Sequence, residues 1–296
     1  MTDIAGRNAV VTGGGSGIGR ALARALAAEG AKVTVADIIL TNAQKVAAEI
    51  EAEGGTAIAI ACDVCERYSI KQMKSEVNAR LGRVSLLVAN AGATSFERLT
   101  DMSEADVDWI LQVNLMGTTY CLQAFLPDLI AQGGGHLVAT ASMAGMLPAW
   151  IPMHAPYSAA KMGIIGMMLN LGIELGGHNI FTTTYCPGGV ATGMKENNER
   201  YRPARFGGPG PGPVRVPEGF MHENITTFLP PEVIAPMVLR AIKNNRRIVF
   251  DHSEQRQIWI DTYQSIVLEA FDDALEFEQE MGTMANETKP IDTRRI

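Results

Sequence analysis

Short apolar runs rich in Val, Ile and Thr alternate with helix-like stretches from the first residues onward, and this alternation restricts the chain more than any other feature. NAVVTG (8–13) is followed by GIGRALARALAAEG (17–30), AKVTVAD (31–37), TNAQKVAAEIEAEG (41–54) and TAIAIACDV (56–64). Runs without a polar face predict strands buried on both sides, and strand-helix alternation predicts parallel pairing with right-handed crossovers. The expected architecture is a doubly wound α/β sheet. The pattern continues through a helix over 66–81, a strand at 84–90, a long helix over 104–131, a strand at 136–142, a helix over 157–175 and a strand at 179–188. Gly30, Gly54, Gly82 and Gly133 each fall just past a helical stretch, where a left-handed terminating residue is wanted.

After residue 192 the alternation stops. Residues 193–230 contain GGPGPGP, which fits neither a regular helix nor an inner strand, and an insertion of that length in a compact domain is usually a functional lid. Beyond it, PPEVIAPMVLRAIKNN predicts a proline-opened helix, RRIVF a seventh strand, 253–281 an acidic amphipathic helix, and 282–296 a flexible tail. One domain over 1–281 accounts for all of this. The net charge of −7 offers no basic footprint for nucleic acid or an anionic membrane surface, and no apolar run reaches spanning length. With no basic-plus-apolar leader at the N-terminus, the expectation is a cytoplasmic protein with a small-molecule substrate. The cysteines are scattered. Cys62 and Cys65 bracket Asp63 without a second pair or histidine cluster, so buried thiols and no metal are expected.

TGGGSGIG (12–19) sits where the first strand hands over to the first helix. Gly13 and Gly17 permit the tight turn, Gly19 permits close helix-sheet approach, and the helix N-terminus offers N–H groups to a pyrophosphate. Asp37 ends the second strand, placed to accept hydrogen bonds from the adenosine ribose hydroxyls and to repel a 2′-phosphate. Because Ile38, Ile39 and Leu40 follow it, no cation stands ready for NADP, and NAD is the expected cofactor.

YSAAK (157–161) holds a phenol and an ammonium one helical turn apart. Hydride transfer at a carbinol carbon needs a group to take or give the oxygen's proton, and a free phenol, with a pKa near 10, is too weakly acidic for that work at neutral pH. A lysine on the same helix face supplies positive charge that favours phenolate. Tyr157 is therefore the expected general acid/base, tuned by Lys161.

Taken together, TGGGSGIG, Asp63 in CDV, NAG (90–92), Asn114 in VNLMG, Ser142 in ATAS, YSAAK and PGGVAT (187–192) make the chain resemble the short-chain dehydrogenase/reductase family, whose fold is Rossmann-type. The likeness is strong over about 5–192 and looser over 230–250. It implies that Ser142 holds the substrate oxygen, that Asn114 carries a relay water, and that Lys161 also bonds the nicotinamide ribose. It further implies that Asp63 meets the adenine, that Asn90 and Gly92 line the cofactor, and that Val190 with Thr192 holds its carboxamide and phosphate. Ser16, Ile18, Val64, Ala91, Pro187 and Gly188 are the neighbouring cofactor positions of the same motifs. In the family, the helices carrying Asn114 and YSAAK form a subunit interface, which implies a homodimer or homotetramer. The chain departs from the pattern in two ways. Ser142 and Tyr157 are 15 residues apart, two more than is common, and Ala89 replaces the first asparagine of NNAG.

Substrate choice falls to the segments after Ser142 and after NAG and to the lid, with Thr94, Met143, Trp150, His154 and Met194 as candidate contacts. Their apolar character suggests a hydrophobic secondary alcohol or ketone, aromatic ones included. Some long-lidded relatives with C-terminal extensions oxidise benzylic alcohols of lignin-type aryl ethers, and the chain is loosely similar to them. Between 195 and 217 five basic residues (Lys195, Arg200, Arg202, Arg205, Arg215) outnumber Glu196 and Glu199, which fits either an anionic substrate or a solvated loop face. Two other functional classes remain open: a lyase or epimerase that retains its NAD, and a non-catalytic NAD-sensing protein.

Overall fold

Seven parallel strands form a single sheet in the computed structural model, which describes residues 1–149, 151–210, 212, 214–215 and 228–281. The strands are β1 (Asn8–Thr12), β2 (Lys32–Asp37), β3 (Thr56–Ala61), β4 (Leu86–Ala89), β5 (Gly135–Thr140), β6 (Ile180–Cys186) and β7 (Ile248–Phe250), in the order 3-2-1-4-5-6-7. The order reverses between β1 and β4, and doubly wound sheets bind ligands at the carboxyl ends of the strands beside such a reversal.

Strand residues alternate strictly between two cores. Ala9 and Val11 of β1, with Leu86 and Val88 of β4, face α1 (Gly17–Ala28), α2 (Leu40–Ala52) and the helix Pro231–Lys243. Val10, Leu87 and Ala89 face α3 (Arg67–Arg80), α5 (Gly117–Ala131) and α7 (Ala155–Glu174). Each buried Val or Leu stabilises the fold by about 1.5–3 kcal/mol, which is why the inner strands carry no polar face. The glycines expected to terminate helices do so: Gly30, Gly54, Gly82 and Gly133 have φ between 81° and 88°.

Several boundaries differ from expectation for local reasons. The long helix over 104–131 is interrupted: α4 (Glu104–Leu111), opened by a reciprocal Ser103–Asp106 capping box, passes through a π-turn (Gln112–Met116) into α5. Asn114 explains the wide turn, because its Nδ2 donates to Ile110 O at 2.8 Å and so takes up a carbonyl of the preceding turn. The short helix α6 (Met143–Met146) follows Ser142, and α7 begins at Ala155 with Pro156 in its first turn. The lid contains the one-turn helix α8 (Asn197–Arg200), and the helix Pro231–Lys243 is α9. The expected C-terminal helix is a rod of α10 (Gln255–Trp259), a second π-turn (Ile260–Gln264) and α11 (Ser265–Glu280). The tail 282–296 and Trp150 lie outside the described residues, as does much of 211–227. No described helix is long and apolar enough to cross a membrane.

His136 on β5 is fully buried between Thr2 Oγ1 (2.9 Å from Nδ1) and Thr183 Oγ1 (2.8 Å from Nε2). Burial, reinforced by Arg7, pushes its pKa down to about 3. The unfolded chain binds that proton near pH 6.5 and the folded chain only near 3. Stability is therefore complete above 6.5 and falls as the pH drops toward 3. We expect His136 alone to make the protein about 2 kcal/mol less stable at pH 5 than at pH 7.5. Urea unfolding of His136→Gln at the two pH values should show a correspondingly shallower pH dependence, and an unchanged slope would refute the assignment.

Candidate active site

The cleft opens at the carboxyl ends of β1 and β4 and holds about 1050 Å³ of empty space, its mouth included. One wall is the glycine loop. Gly13 has a φ of 60°, and a Cβ there would lie 2.9 Å from Ala91 Cα, while a Cβ on Gly19 would lie 2.1 Å from Gly13 O. Ser16 occupies the N-cap of α1 without a side-chain capping bond, so Ser16, Gly17 and Ile18 border the cleft at a helix start that its own side chain does not cap. Asp37 is buried, its Oδ2 accepting from Gly15 N and its Oδ1 from Ile39 N, both at 3.0 Å. Burial raises its pKa against these backbone donors. Asp37 thus braces the glycine loop as well as lining the cleft, a role that spacing alone did not suggest.

The opposite wall carries the proton-handling groups. Tyr157 and Lys161 are both buried and both border the cleft. Ser142, at the N-cap of α6, is hydrogen-bonded to the Tyr157 phenol, and its Oγ accepts from Ala144 N at 3.1 Å. Lys161 Nζ donates to Thr140 O at 2.9 Å and stands 5.4 Å from the centroid of the Tyr157 ring. Asn114 is fully buried, its Nδ2 donating to Ala93 O and Ile110 O, while its Oδ1 has no partner. A Cβ on Gly92 would lie 2.7 Å from that oxygen and 3.5 Å from Lys161 Nζ, so the two polar ends converge on the glycine. A buried acceptor left open beside an amine is a natural seat for a bridging water.

The electrostatics differ from the expectation that Lys161 makes Tyr157 acidic. Burial lifts Tyr157 to about 12, against the hydrogen bond from Ser142, and the same burial drops Lys161 to about 7. Both groups favour their neutral forms, because desolvation acts on each before either can charge the other.

Of the expected cofactor positions, Gly13, Ser16, Gly17, Ile18, Asp37, Asp63, Val64, Asn90, Ala91, Gly92, Tyr157, Lys161, Pro187 and Thr192 all line the cleft. Gly19, Gly188 and Val190 do not, and act from behind it. Gly19 packs on Gly13 and Asn90, Gly188 N donates to Asp251 Oδ1, and Val190 packs on the core and bridges to Leu229. Among the four expected substrate contacts that lie in the described residues, only Met194 borders the cleft. Thr94 and Met143 are buried in its wall, and His154 lies behind Tyr157, stacked 4.2 Å from Phe96 and 4.4 Å from the tyrosine ring. Burial pushes His154 down to about 4 and leaves it neutral, with Nδ1 bonded to Ser95 O. Trp150 lies outside the described residues.

The described part of the 193–230 insertion reaches across the cleft beside the glycine loop and Asp63. Asn197 Nδ2 donates to Gly92 O at 3.0 Å, Tyr201 OH accepts from Asn42 Nδ2 at 3.3 Å, and Arg205 pairs with Asp63 at 2.7 Å. Arg202 pairs with Asp106 over the face of Trp109. These two arginines are thus engaged by carboxylates of the chain itself, which removes them from the set available to an anionic substrate.

Three groups were not singled out by motif. Thr12 and Thr140 bracket Asn90: Thr12 Oγ1 accepts from Asn90 N (3.0 Å) and Ala91 N (3.2 Å), and Thr140 Oγ1 donates to Asn90 Oδ1 (3.0 Å). Both sit in quoted motifs, so their position was available as a signal. Trp109 and the lid residues Asn197 and Tyr201 line the cleft with no sequence cue. Beneath the PGG turn, Asp251 accepts from Tyr185 OH (2.6 Å) and Gly188 N (2.8 Å) and contacts His252 Nδ1 (2.6 Å), joining strand β7 to that turn.

Comparison with known proteins agrees with this geometry. Residues 7–202 match the short chain dehydrogenase family. A C alpha-dehydrogenase of Sphingobium sp. is 30% identical over 269 residues, covering 90% of this chain and 87% of the relative. The crystal structure of a short chain dehydrogenase/reductase from Burkholderia phymatum in complex with NAD superposes with a TM-score of 0.83 at 26% identity, covering 98% of this chain and 99% of that one. A metagenomic short-chain oxidoreductase in complex with NADP superposes with a TM-score of 0.60 at 36% identity, covering 64% of this chain and 85% of its own. The chain belongs to the short-chain dehydrogenase family of oxidoreductases.

Proposed function

We propose that the protein interconverts a hydrophobic, aryl-bearing secondary alcohol and its ketone, using NAD(H) and Tyr157 as general acid/base. The observation that carries this reading is the convergence of the Tyr157 phenol, its hydrogen-bonded partner Ser142, the Lys161 amine and the open Asn114 Oδ1 on a glycine-walled cleft. When bound, the dinucleotide supplies the hydride acceptor or donor and, in its oxidised form, a positive ring charge.

Ser142 holds the carbinol oxygen beside Tyr157, which takes its proton during oxidation and returns it during reduction. Positive charge next to the phenol opposes the burial that otherwise keeps it protonated. Lys161, brought to about 7, exchanges protons readily near neutrality and passes them toward a water held at Asn114 Oδ1. The carboxylate of Asp37 with Ile38 beside it favours NAD over NADP, since a 2′-phosphate would meet negative charge and no cation there. Trp109 and Met194 on the cleft wall, with Phe206 and Trp259 packed on the same apolar cluster as Tyr157, suit an apolar ring, in keeping with the similarity to a C alpha-dehydrogenase. The described lid contacts support closure over the cofactor as well as the substrate.

Replacing Tyr157 by Phe should lower kcat for a panel of aryl secondary alcohols by about 100- to 10,000-fold while leaving NADH affinity nearly intact. Retained turnover would show that another group moves the proton. For cofactor choice, Asp37→Ala combined with Ile38→Arg should shift the kcat/KM ratio at least about tenfold toward NADP, equivalent to roughly 1.4 kcal/mol. An unchanged ratio would remove Asp37 as the selector.

A further inference from the structure

Among the described residues, nothing covers the C-terminal helix α11. Every residue from Ser265 to Met281 is exposed, including Ile266 (55%), Phe271 (68%), Leu275 (51%) and Phe277 (61%). At 3.6 residues per turn, Ile266, Val267, Leu268, Phe271, Leu275 and Phe277 share one arc of about 200°, and Glu269, Asp272, Asp273, Glu276 and Glu280 fill the opposite one. Of the six acids in the helix only Glu278 intrudes on the apolar arc, and there is no basic residue.

Such a helix is poorly supported on its own. An isolated helix of this length is marginal in water, the acids lack basic partners, and their concentration toward the C-terminus opposes the helix dipole. Aromatic side chains each bring about 150–250 Å² to a contact. At 37–68% exposure, the six apolar residues together offer roughly 600 Å², a large part of the roughly 800 Å² that one partner gives to a standard protein interface. A monomer seldom leaves a patch of that size open.

The charge distribution identifies the cover. A membrane surface selects amphipathic helices with Lys and Arg on the polar face, the reverse of this one. Segment 282–296 offers only Met284, Ile291 and Ile296 as large apolar side chains, too few for the arc. A second copy of α11 laid antiparallel fits. Its apolar arc matches, five of the six acids of each helix point outward, and each acidic C-terminal half lies beside the other's first turn, which has no acid. We propose that α11 is an association arm that pairs, about a two-fold axis, with the α11 of a second copy of this chain.

The pairing bears on the site because the rod is anchored there. Ile258 and Trp259, in and just after its first turn, pack on the cluster containing Tyr157, Trp109 and Met143. The test places one cysteine on each face. Phe271→Cys, treated with a short bis-maleimide, should yield a covalent dimer, whereas Glu269→Cys on the acidic arc should not. In sedimentation equilibrium, Phe271→Glu with Leu275→Glu should halve the assembly mass wherever the arms alone join the copies. An unchanged mass with efficient linking at position 271 still supports the pairing, within an assembly also held elsewhere. Linking at 271 no faster than at 269 overturns the proposal, as does a wild-type protein that sediments as a monomer.

Discussion

One chain of hydrogen bonds ties the cofactor side of the cleft to the proton-handling side. Thr12 receives the Asn90 and Ala91 amides, Asn90 receives the Thr140 hydroxyl, and Thr140 in turn offers its carbonyl to Lys161. The glycine loop after β1, the NAG turn after β4, the end of β5 and the helix α7 are thereby fixed relative to one another. The Lys161 bond is buried and the other three are part-buried, and breaking a bond away from water leaves an unpaired group at a cost on the order of 1–3 kcal/mol. Sheet topology brings the strand ends together, and these few polar side chains fix their relative positions.

The same shielding controls the ionisable groups. A phenol and an amine one turn apart look like a pair in which the cation stabilises the anion, and in water that would be the larger effect. Here both are buried, and desolvation opposes charge on each. The site therefore rests in a neutral, proton-rich state on the tyrosine and close to balance on the lysine. On the proposed reading, the tyrosine holds its proton at rest, and positive charge brought into the cleft favours its release.

Much of this was legible in sequence because it depends on local rules. Strand-helix alternation, the glycine terminators and the glycine loop follow from backbone conformation and burial, and all seven strands lie where the apolar runs place them. Tyr157, Lys161 and most of the expected cofactor positions border the cleft together because they sit in compact motifs at the strand ends. What could not be read depends on distant contacts. The lid's bonds from Asn197, Tyr201 and Arg205 span 105, 159 and 142 residues. The apolar runs near the cleft are ambiguous for the same reason: they name candidates, but the path of the backbone decides which of them face inward. Thr94, Met143 and His154 became packing while Trp109, from another helix, took a place at the opening.

The π-turn at Gln112–Met116 has an effect beyond Asn114. One surplus residue in a helical turn offsets all that follows by about 100°. Before it, Trp109 and Ile110 face the apolar cluster that contains Tyr157; after it, Cys121 and Phe125 face the sheet. An unbroken rod would have had to serve both neighbours with a single stripe. The slipped turn works as a rotary joint frozen at one setting, so that two differently aimed surfaces share an axis and Asn114 sits at the pivot.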